Sequence, residues 1–274
     1  MDVRIVGTGP AVEAVEAALS DVDATAESGV PPDLEDADIG VVVGRVGDEV
    51  FDAANDAALG SETPWIAVEL GGVGGFRIPD VDAAVSGFGP ETSCFDCLRQ
   101  RVAANATDVL DEPSPLDDST ARYAGAIAGR AVVTLVRGEE EPLGRVIEVP
   151  YAERRFLPVP GCACGENPDR RLSREYESVD LDTTVERAER TLDDRVGVVQ
   201  SIGEAESFPA PYYLATTGET AGFSDASAPR QAAGVHADWN AAFMKAMGEA
   251  LERYSAGVYR TSTFRTAPLS ALEA

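Results

Sequence analysis

Apolar and polar positions change rhythm several times along the first eighty residues. "VRIVG" (3–7), "IGVVVG" (39–44) and "PWIAVELGG" (64–72) are short, almost continuous apolar runs, the pattern of strands buried on both faces. Between them, "PAVEAVEAALS" (10–20) and "DEVFDAANDAAL" (48–59) repeat apolar residues at helical spacing. Strand, helix and strand in this order predict a parallel sheet joined by helical crossovers. Further on, "TARYAGAIAGRAVVTLVRG" (120–138) predicts a largely buried helix, and "LGRVIEVP" (143–150) and "RRFLPVPG" (154–161) predict strands. The punctuation in "LDEPSPLDD" (110–118) predicts an exposed loop. The chain turns strongly charged between Ser173 and Asp194, with a surface helix expected over 183–192. Near the end, "FMKAMGEALERYSAGVYR" (243–260) reads as an amphipathic helix with Met244, Met247 and Leu251 on its packing side. The fold class expected is α/β, with a domain boundary in the charged stretch.

Charge sharpens this picture. The 274 residues carry 48 acidic and 22 basic side chains, a formal net charge of −26. Lys245 is the one lysine, so the remaining basic residues are all arginine. Such a chain repels itself unless ions screen it within a few ångströms, which predicts a protein suited to a salt-loaded, halophilic cytoplasm. Duplex nucleic acid and anionic membranes are excluded as expected partners, because both require a basic face. The opening "MDVRIVGTGP" has neither the basic start nor the apolar run of a signal peptide, and no apolar stretch reaches membrane-spanning length. A cytoplasmic location is therefore expected.

In a reducing compartment, four cysteines point to metal or redox chemistry ahead of disulfides. They fall in two tight pairs, Cys94/Cys97 in "TSCFDCLRQR" and Cys162/Cys164 in "VPGCACGEN". The first pair has the spacing that lets two thiolates meet one ion at the start of a helix, where the dipole favours the ionised form. Two such turns suit a closed, structural zinc tetrathiolate. The spacing of the second pair is tighter than usual, and a redox-active first pair or unrelated cysteines remain the alternatives. The loop "GTGPAV" supplies Gly7 and Gly9 but no third glycine at dinucleotide spacing, and reads as a plain strand-to-helix turn.

Pro64-Trp65 before a strand, the glycine-rich stretch, "GFGP", Cys94-x-x-Cys97 with Arg101 and Asn105, and the later Cys162/Cys164 turn together resemble a known family. They look like the ThiF-type, ubiquitin-activating-enzyme-like domain of the cyclodehydratases that make thiazole/oxazole-modified peptides. This resemblance covers 1–172 and implies a Rossmann-type, zinc-bearing scaffold with a mostly parallel sheet that docks peptides and has lost adenylation. The stretches "RVGVVQSIGEAESFPAPYYLATT" and "AAGVHADWNAAFMKAMGEALERYSAG" are similar to the opening of a YcaO domain. YcaO proteins use ATP to phosphorylate a backbone amide oxygen, leading to azoline rings or thioamides. The resemblance implies that Glu249 and Glu252 hold Mg²⁺ and that Arg253 approaches the ATP phosphates. The family's serine three residues before the first glutamate is replaced by Ala246.

Taken without the resemblance, Glu249 and Arg253 are an i,i+4 pair of the kind that decorates a solvated helix face. His236 reads as a loop-capping residue, Lys245 as surface cover for apolar area, and the arginines of "YAERRF" and "NPDRRLSR" as solvated ion pairs. No residue is singled out as the catalytic acid or base. The expected organisation is thus a ThiF-like domain at 1–172, a charged linker or helix at 173–192, and an incomplete α+β YcaO portion at 193–274. Since no second acidic cluster follows Arg253, the chain is expected to be the front part of a cyclodehydratase, as a split subunit, a truncated frame or a degraded copy, inactive alone. Its expected partners are a peptide or protein substrate, a separate subunit carrying the rest of the YcaO domain, and further copies in an oligomer. A non-catalytic zinc-containing scaffold that binds a peptide or partner enzyme is the competing expectation.

Overall fold

The computed structural model describes residues 1–106, 108–110, 117–150, 152–165, 178–268 and 271. Strand β1 (Asp2–Val6) leads into helix α1 (Pro10–Leu19), and the exposed strand β2 (Thr25–Ser28) follows. A 3-10 turn at Pro31–Asp36 precedes β3 (Ile39–Arg45), α2 (Val50–Ser61), β4 (Trp65–Leu70) and β5 (Ala83–Phe88). Helices α3 (Phe95–Asn105) and α4 (Asp118–Val136) come next, then β6 (Arg145–Val149) and β7 (Ala152–Arg155). These strands form one sheet in the order β2-β1-β3-β4-β5-β6-β7. The four strands β1 to β4 are parallel, whereas β5, β6 and β7 each pair antiparallel with the strand before. Since β6 again points along β4, most strands share one direction, within a mixed α/β sheet.

Alternate residues of the central strands go to opposite faces. Ile66 and Val68 of β4 join Val15, Ala128 and Val132 under α1 and α4, while Trp65 and Ala67 join Phe51, Phe95 and Leu98 under α2 and α3. Both faces are therefore covered, which is why these strands lack a polar alternation. Trp65 and Phe88 lie 4.7 Å apart and Phe88 and Phe95 6.0 Å apart, an aromatic cluster directly beneath the first cysteine pair. Helix α4 buries one face rather than most of its surface: Tyr123 is exposed, and Ala121, Ala124, Gly125, Ala128 and Gly129 form the contact with α1. A Cβ at Gly125 would stand 2.2 Å from the Ala11 carbonyl oxygen, so the two helices touch almost backbone to backbone.

One expected strand is displaced. The ladder takes Ala152–Arg155, and the chain leaves it at Phe156, because Phe156 and Val159 are drawn into the core beside the cysteines. Strands β2 and β5 were not apparent in the sequence: the first is exposed throughout, and "AAVSGF" is small, short and fully buried.

The remainder builds a second layer. Helix α5 (Leu181–Glu189) starts two residues ahead of the expected position because Asp180 caps it, accepting from the Thr183 N–H at 2.9 Å. Strands β8 (Val199–Glu206), β9 (Tyr212–Thr217) and β10 (Gln231–Val235) form an antiparallel sheet in the order β10-β9-β8. Helix α6 (Trp239–Gly257) packs across it and contacts α5, with Ala188, Val199, Ala215, Ala232, Ala246, Met247 and Ala250 as its buried core. Asp238 starts α6 four residues before the expected Phe243 by accepting from the Ala241 N–H at 2.9 Å. The helix stops at Gly257 rather than Arg260. A Cβ there would meet Ala228 at 2.5 Å, and the Ser224 hydroxyl donates to the Gly257 carbonyl at 2.8 Å. The "NPDRRLSR" arginines and most of "LDEPSPLDD" lie outside the described residues.

Candidate metal centre and carboxylate helix

The cysteine cluster is assembled from the start of α3 and the turn after β7. Cys94 is the N-cap of α3, and Cys97 lies in its first turn. The second pair arrives on two consecutive turns, closed by the Cys162 N–H on the Val159 carbonyl and the Gly165 N–H on the Cys162 carbonyl, each 3.1 Å. The Ser93 hydroxyl donates to the Phe156 carbonyl at 3.1 Å and ties the incoming segment to the same helix start. Cys94 and Cys97 sulfurs are 3.9 Å apart, Cys94 and Cys162 3.5 Å, and Cys97 and Cys164 3.4 Å. One ligand atom from each of the four lies within 4.8 Å of the others.

A tetrahedron of thiolates around zinc has sulfur–sulfur edges of about 3.8 Å, given a metal–sulfur bond near 2.3 Å. The four sulfurs fit that geometry, and the half-buried positions of Cys162 and Cys164 leave a route for a metal ion to enter. As free thiols they share protons: hydrogen bonding with Cys162 and Cys164 pushes Cys94 and Cys97 up, and hydrogen bonding with Cys164 and Cys94 pulls Cys162 down. A divalent cation bound there would resolve this crowding by replacing the shared protons. The Cys97 sulfur also accepts the Val159 N–H at 3.2 Å, a bond that favours its thiolate.

Behind the cysteines sits Arg101, 2% exposed. Its Nε donates to the Leu157 carbonyl at 3.1 Å, one Nη to the Pro158 carbonyl at 2.9 Å, and the other Nη to the Tyr254 hydroxyl at 2.9 Å. Tyr254 is a buried residue of α6; its ring lies 6.3 Å from that of Phe223, in one apolar cluster with Val159, Cys94 and Cys97. Asn105 plays a related part, donating to the Gly197 carbonyl at 3.1 Å, while Gln200 donates to the Asn105 carbonyl at 2.9 Å. Arg101 and Asn105 thus fasten α3 to the second layer.

On the opposite side of α6, Lys245, Glu249, Glu252 and Arg253 line an open cavity of about 580 Å³ whose wall is Ala233, Gly234 and Val235 of β10. The helix comes this close because a Cβ at Gly234 would stand 2.3 Å from the Ala246 nitrogen. Ala246 itself is fully buried against the sheet and does not face the cavity. Glu249 and Arg253 form an ion pair, and the Arg253 guanidinium also donates to the Gln231 carbonyl at 2.6 Å. Glu252 is exposed at the rim. Lys245 donates to the Val235 carbonyl at 3.1 Å, so it spans the cavity mouth rather than only covering apolar area. His236 accepts the Asp238 N–H at 3.0 Å in the loop before α6, a local cap.

Two other features are structural. Arg154 pairs with Glu148 at 3.2 Å, Asp193 at 2.9 Å and also Asp194, stitching β6 and β7 to the start of the second layer. Gly7 is required by packing, since a Cβ there would meet the Val43 carbonyl oxygen at 2.5 Å. Among the described residues, no helix is long and apolar enough to cross a membrane.

No protein-family model matches the chain, and no curated protein matches it. Solved structures do. A heterocyclase in complex with substrate and cofactor superposes with a TM-score of 0.66 and 18% identity, over 99% of this chain and 41% of the heterocyclase. The heterocyclase TruD gives 0.48 at 18% identity, over 72% of this chain and 33% of TruD. E. coli MccB with MccA gives 0.42 at 16% identity, over 60% of this chain and 66% of MccB. Of these three, the first has a shared overall fold, and the chain spans well under half of that protein's length.

Proposed function

We propose that this chain is part of an ATP-dependent cyclodehydratase of the YcaO type. It would activate backbone amides of a peptide or protein substrate by O-phosphorylation, for azoline or thioamide formation, and be inactive alone. In this reading, residues 1–172 are the ThiF-like zinc-bearing scaffold and peptide-docking domain. Residues 173–192 are the charged linker, and 193–274 the front portion of the YcaO domain, completed by a separate subunit within an oligomer. The observation that carries the reading is the likeness to a heterocyclase along 99% of the chain, which runs through both sheets and α6.

Zinc held by Cys94, Cys97, Cys162 and Cys164 would have a structural role, since all four positions are thiols and leave no site for substrate. Bound Mg²⁺ would neutralise phosphate charge next to Glu249 and Glu252, whose spacing places both on one face of α6. Arg253 is held between Glu249 and the Gln231 carbonyl, and its planar fork suits phosphate oxygens once Glu249 is turned to a cation. Lys245 closes the other end of the same cavity.

The Glu249–Arg253 pair is also the specific observation that favours the competing reading, a non-catalytic zinc scaffold in which these charges satisfy one another. Manganese binding followed by electron paramagnetic resonance in molar KCl, with and without ATP, separates the two. The cyclodehydratase reading expects ATP-dependent manganese binding that weakens about tenfold or more in E249Q and E252Q, as for loss of a charged ligand. Equal signals from wild type and both variants would leave the scaffold.

A further inference from the structure

A buried guanidinium normally pairs with a carboxylate, because an uncompensated charge in the interior is strongly destabilising. Arg101 does not: among the described residues its hydrogen bonds go to two backbone carbonyls and a phenol. Its guanidinium also lies over the faces of Tyr254 and Phe223, whose centroids are 5.5 and 6.0 Å from the guanidinium carbon. Carbonyl dipoles and ring faces solvate a cation but supply no net negative charge.

The missing charge is one helical turn away. Cys97 and Arg101 are four apart in α3, so they share a face of that helix. The Cys97 sulfur is also linked to the segment Arg101 grips, since Val159 follows Pro158 and donates to that sulfur at 3.2 Å. Four thiolates around one divalent cation carry a net charge of about −2.

We infer that the metal-loaded cysteine cluster is the counter-ion of Arg101, and that Arg101 and Tyr254 transmit its occupancy to helix α6. The links are continuous: Cys97 to Val159, the Leu157 and Pro158 carbonyls to Arg101, and Arg101 to the Tyr254 hydroxyl. Tyr254 directly follows Arg253 in α6, with Glu249 and Glu252 within the preceding two turns. A loaded cluster holds the second half of α6 in place. Metal loss leaves the guanidinium buried without a counter-charge among the described residues, and the Tyr254 anchor loosens as Arg101 turns towards water. Arg101 and Tyr254 are positioning residues, acting through the helix and touching no substrate. The consequence for nucleotide rests on the reading of Glu249 and Glu252 given above; the mechanical link does not.

Hydrogen exchange on the full chain in molar KCl tests the link directly. Y254F removes the phenol bond and keeps the ring, so the zinc-loaded variant should retain its metal. Its amides in 250–257 should exchange about tenfold faster, as for loss of one buried hydrogen bond, with β3 and β4 unchanged. Chelating the metal from wild type should give the same local pattern, and chelation should add little to Y254F. Unchanged exchange of α6 in Y254F overturns the inference, as does chelation that loosens β3 and β4 as much as α6. Manganese titration of the same samples is scored separately. If wild type binds none while α6 still responds to chelation, the nucleotide reading falls and the link stands.

Discussion

Glu69 is a carboxylate inside the core, fully buried at the end of β4. Its two oxygens accept the N–H groups of Gly74 and Gly75, both at 2.7 Å, and both glycines have positive φ. Burial pushes its pKa up to about 7, against those hydrogen bonds, which pull it down. The folded protein therefore holds this proton at pH values where the unfolded chain has released it. Stability from this group is fully present below about pH 4.5 and is lost as pH rises through about 7, on the order of 3 kcal/mol in all. Unfolding by denaturant at pH 5 and pH 8 should show wild type losing this stability relative to E69Q, which has no proton to release. E69Q should be the weaker protein at pH 5, since its amide nitrogen faces a backbone N–H, and the gap should narrow by pH 8. A gap that stays constant with pH would remove Glu69 from the titration. The contrast with the cysteines shows what a sequence exposes at this scale. Paired thiols announce themselves by spacing, whereas Glu69 and Arg101 are defined by backbone groups of glycines and of Leu157 and Pro158. No residue pattern marks where those groups will point.

Among the elements, the crossing of α1 and α4 is the tightest contact in the first layer. G125V would force its side chain into the Ala11 carbonyl, and thermal unfolding should show destabilisation of about 3 kcal/mol, from overpacking against backbone that cannot yield. Gly60 is the control: it is exposed in α2 with nothing within 4 Å of its missing Cβ. G60A should stabilise by roughly 0.5–1 kcal/mol through helix propensity alone. If both variants melt together, close packing is not what the glycines of α4 provide. The helices and the strands β1, β3, β4 and β6 were legible because each is long enough, or apolar enough, to show its period. Strands β8 to β10 were not, since "SIGEAE" and "QAAG" are small, polar and half-exposed, and their order depends on α6 covering one face. The caps at Asp180 and Asp238 moved two helix starts earlier than periodicity placed them.

At the scale of the whole molecule, a net charge of −26 has to be held together. The described ion pairs gather around a few arginines, Arg154 with Glu148, Asp193 and Asp194 being the densest, and they leave most carboxylates facing water. Raising ionic strength from 0.1 to 1 M shortens the screening distance from about 10 Å to about 3 Å, so like-charge repulsion should fade. The melting temperature should rise by roughly 5–10 °C in KCl, a gain of a few kcal/mol for a chain of this size. A flat response to KCl would mean that the acidic surface contributes nothing to stability. The class of fold was legible from the strand–helix rhythm, and the acidic bias from composition. The attachment of one layer to the other was not, because Arg101 and Asn105 stand in the motif of the first cysteine pair, whereas their partners Tyr254, Gly197 and Gln200 lie far along the chain and carry no motif that points back to them.

Arg101 and Tyr254 are separated by 153 positions, and a ribosome delivers them in that order. The first sheet and the cysteine pairs leave the exit tunnel well before α6 exists, so a metal can be captured while the guanidinium is still wet. Desolvation of that cation then waits for α6, which would arrive at a centre that already carries its opposite charge. On the inference above, chain order thus places metal capture by the cysteines before the burial of Arg101 by α6.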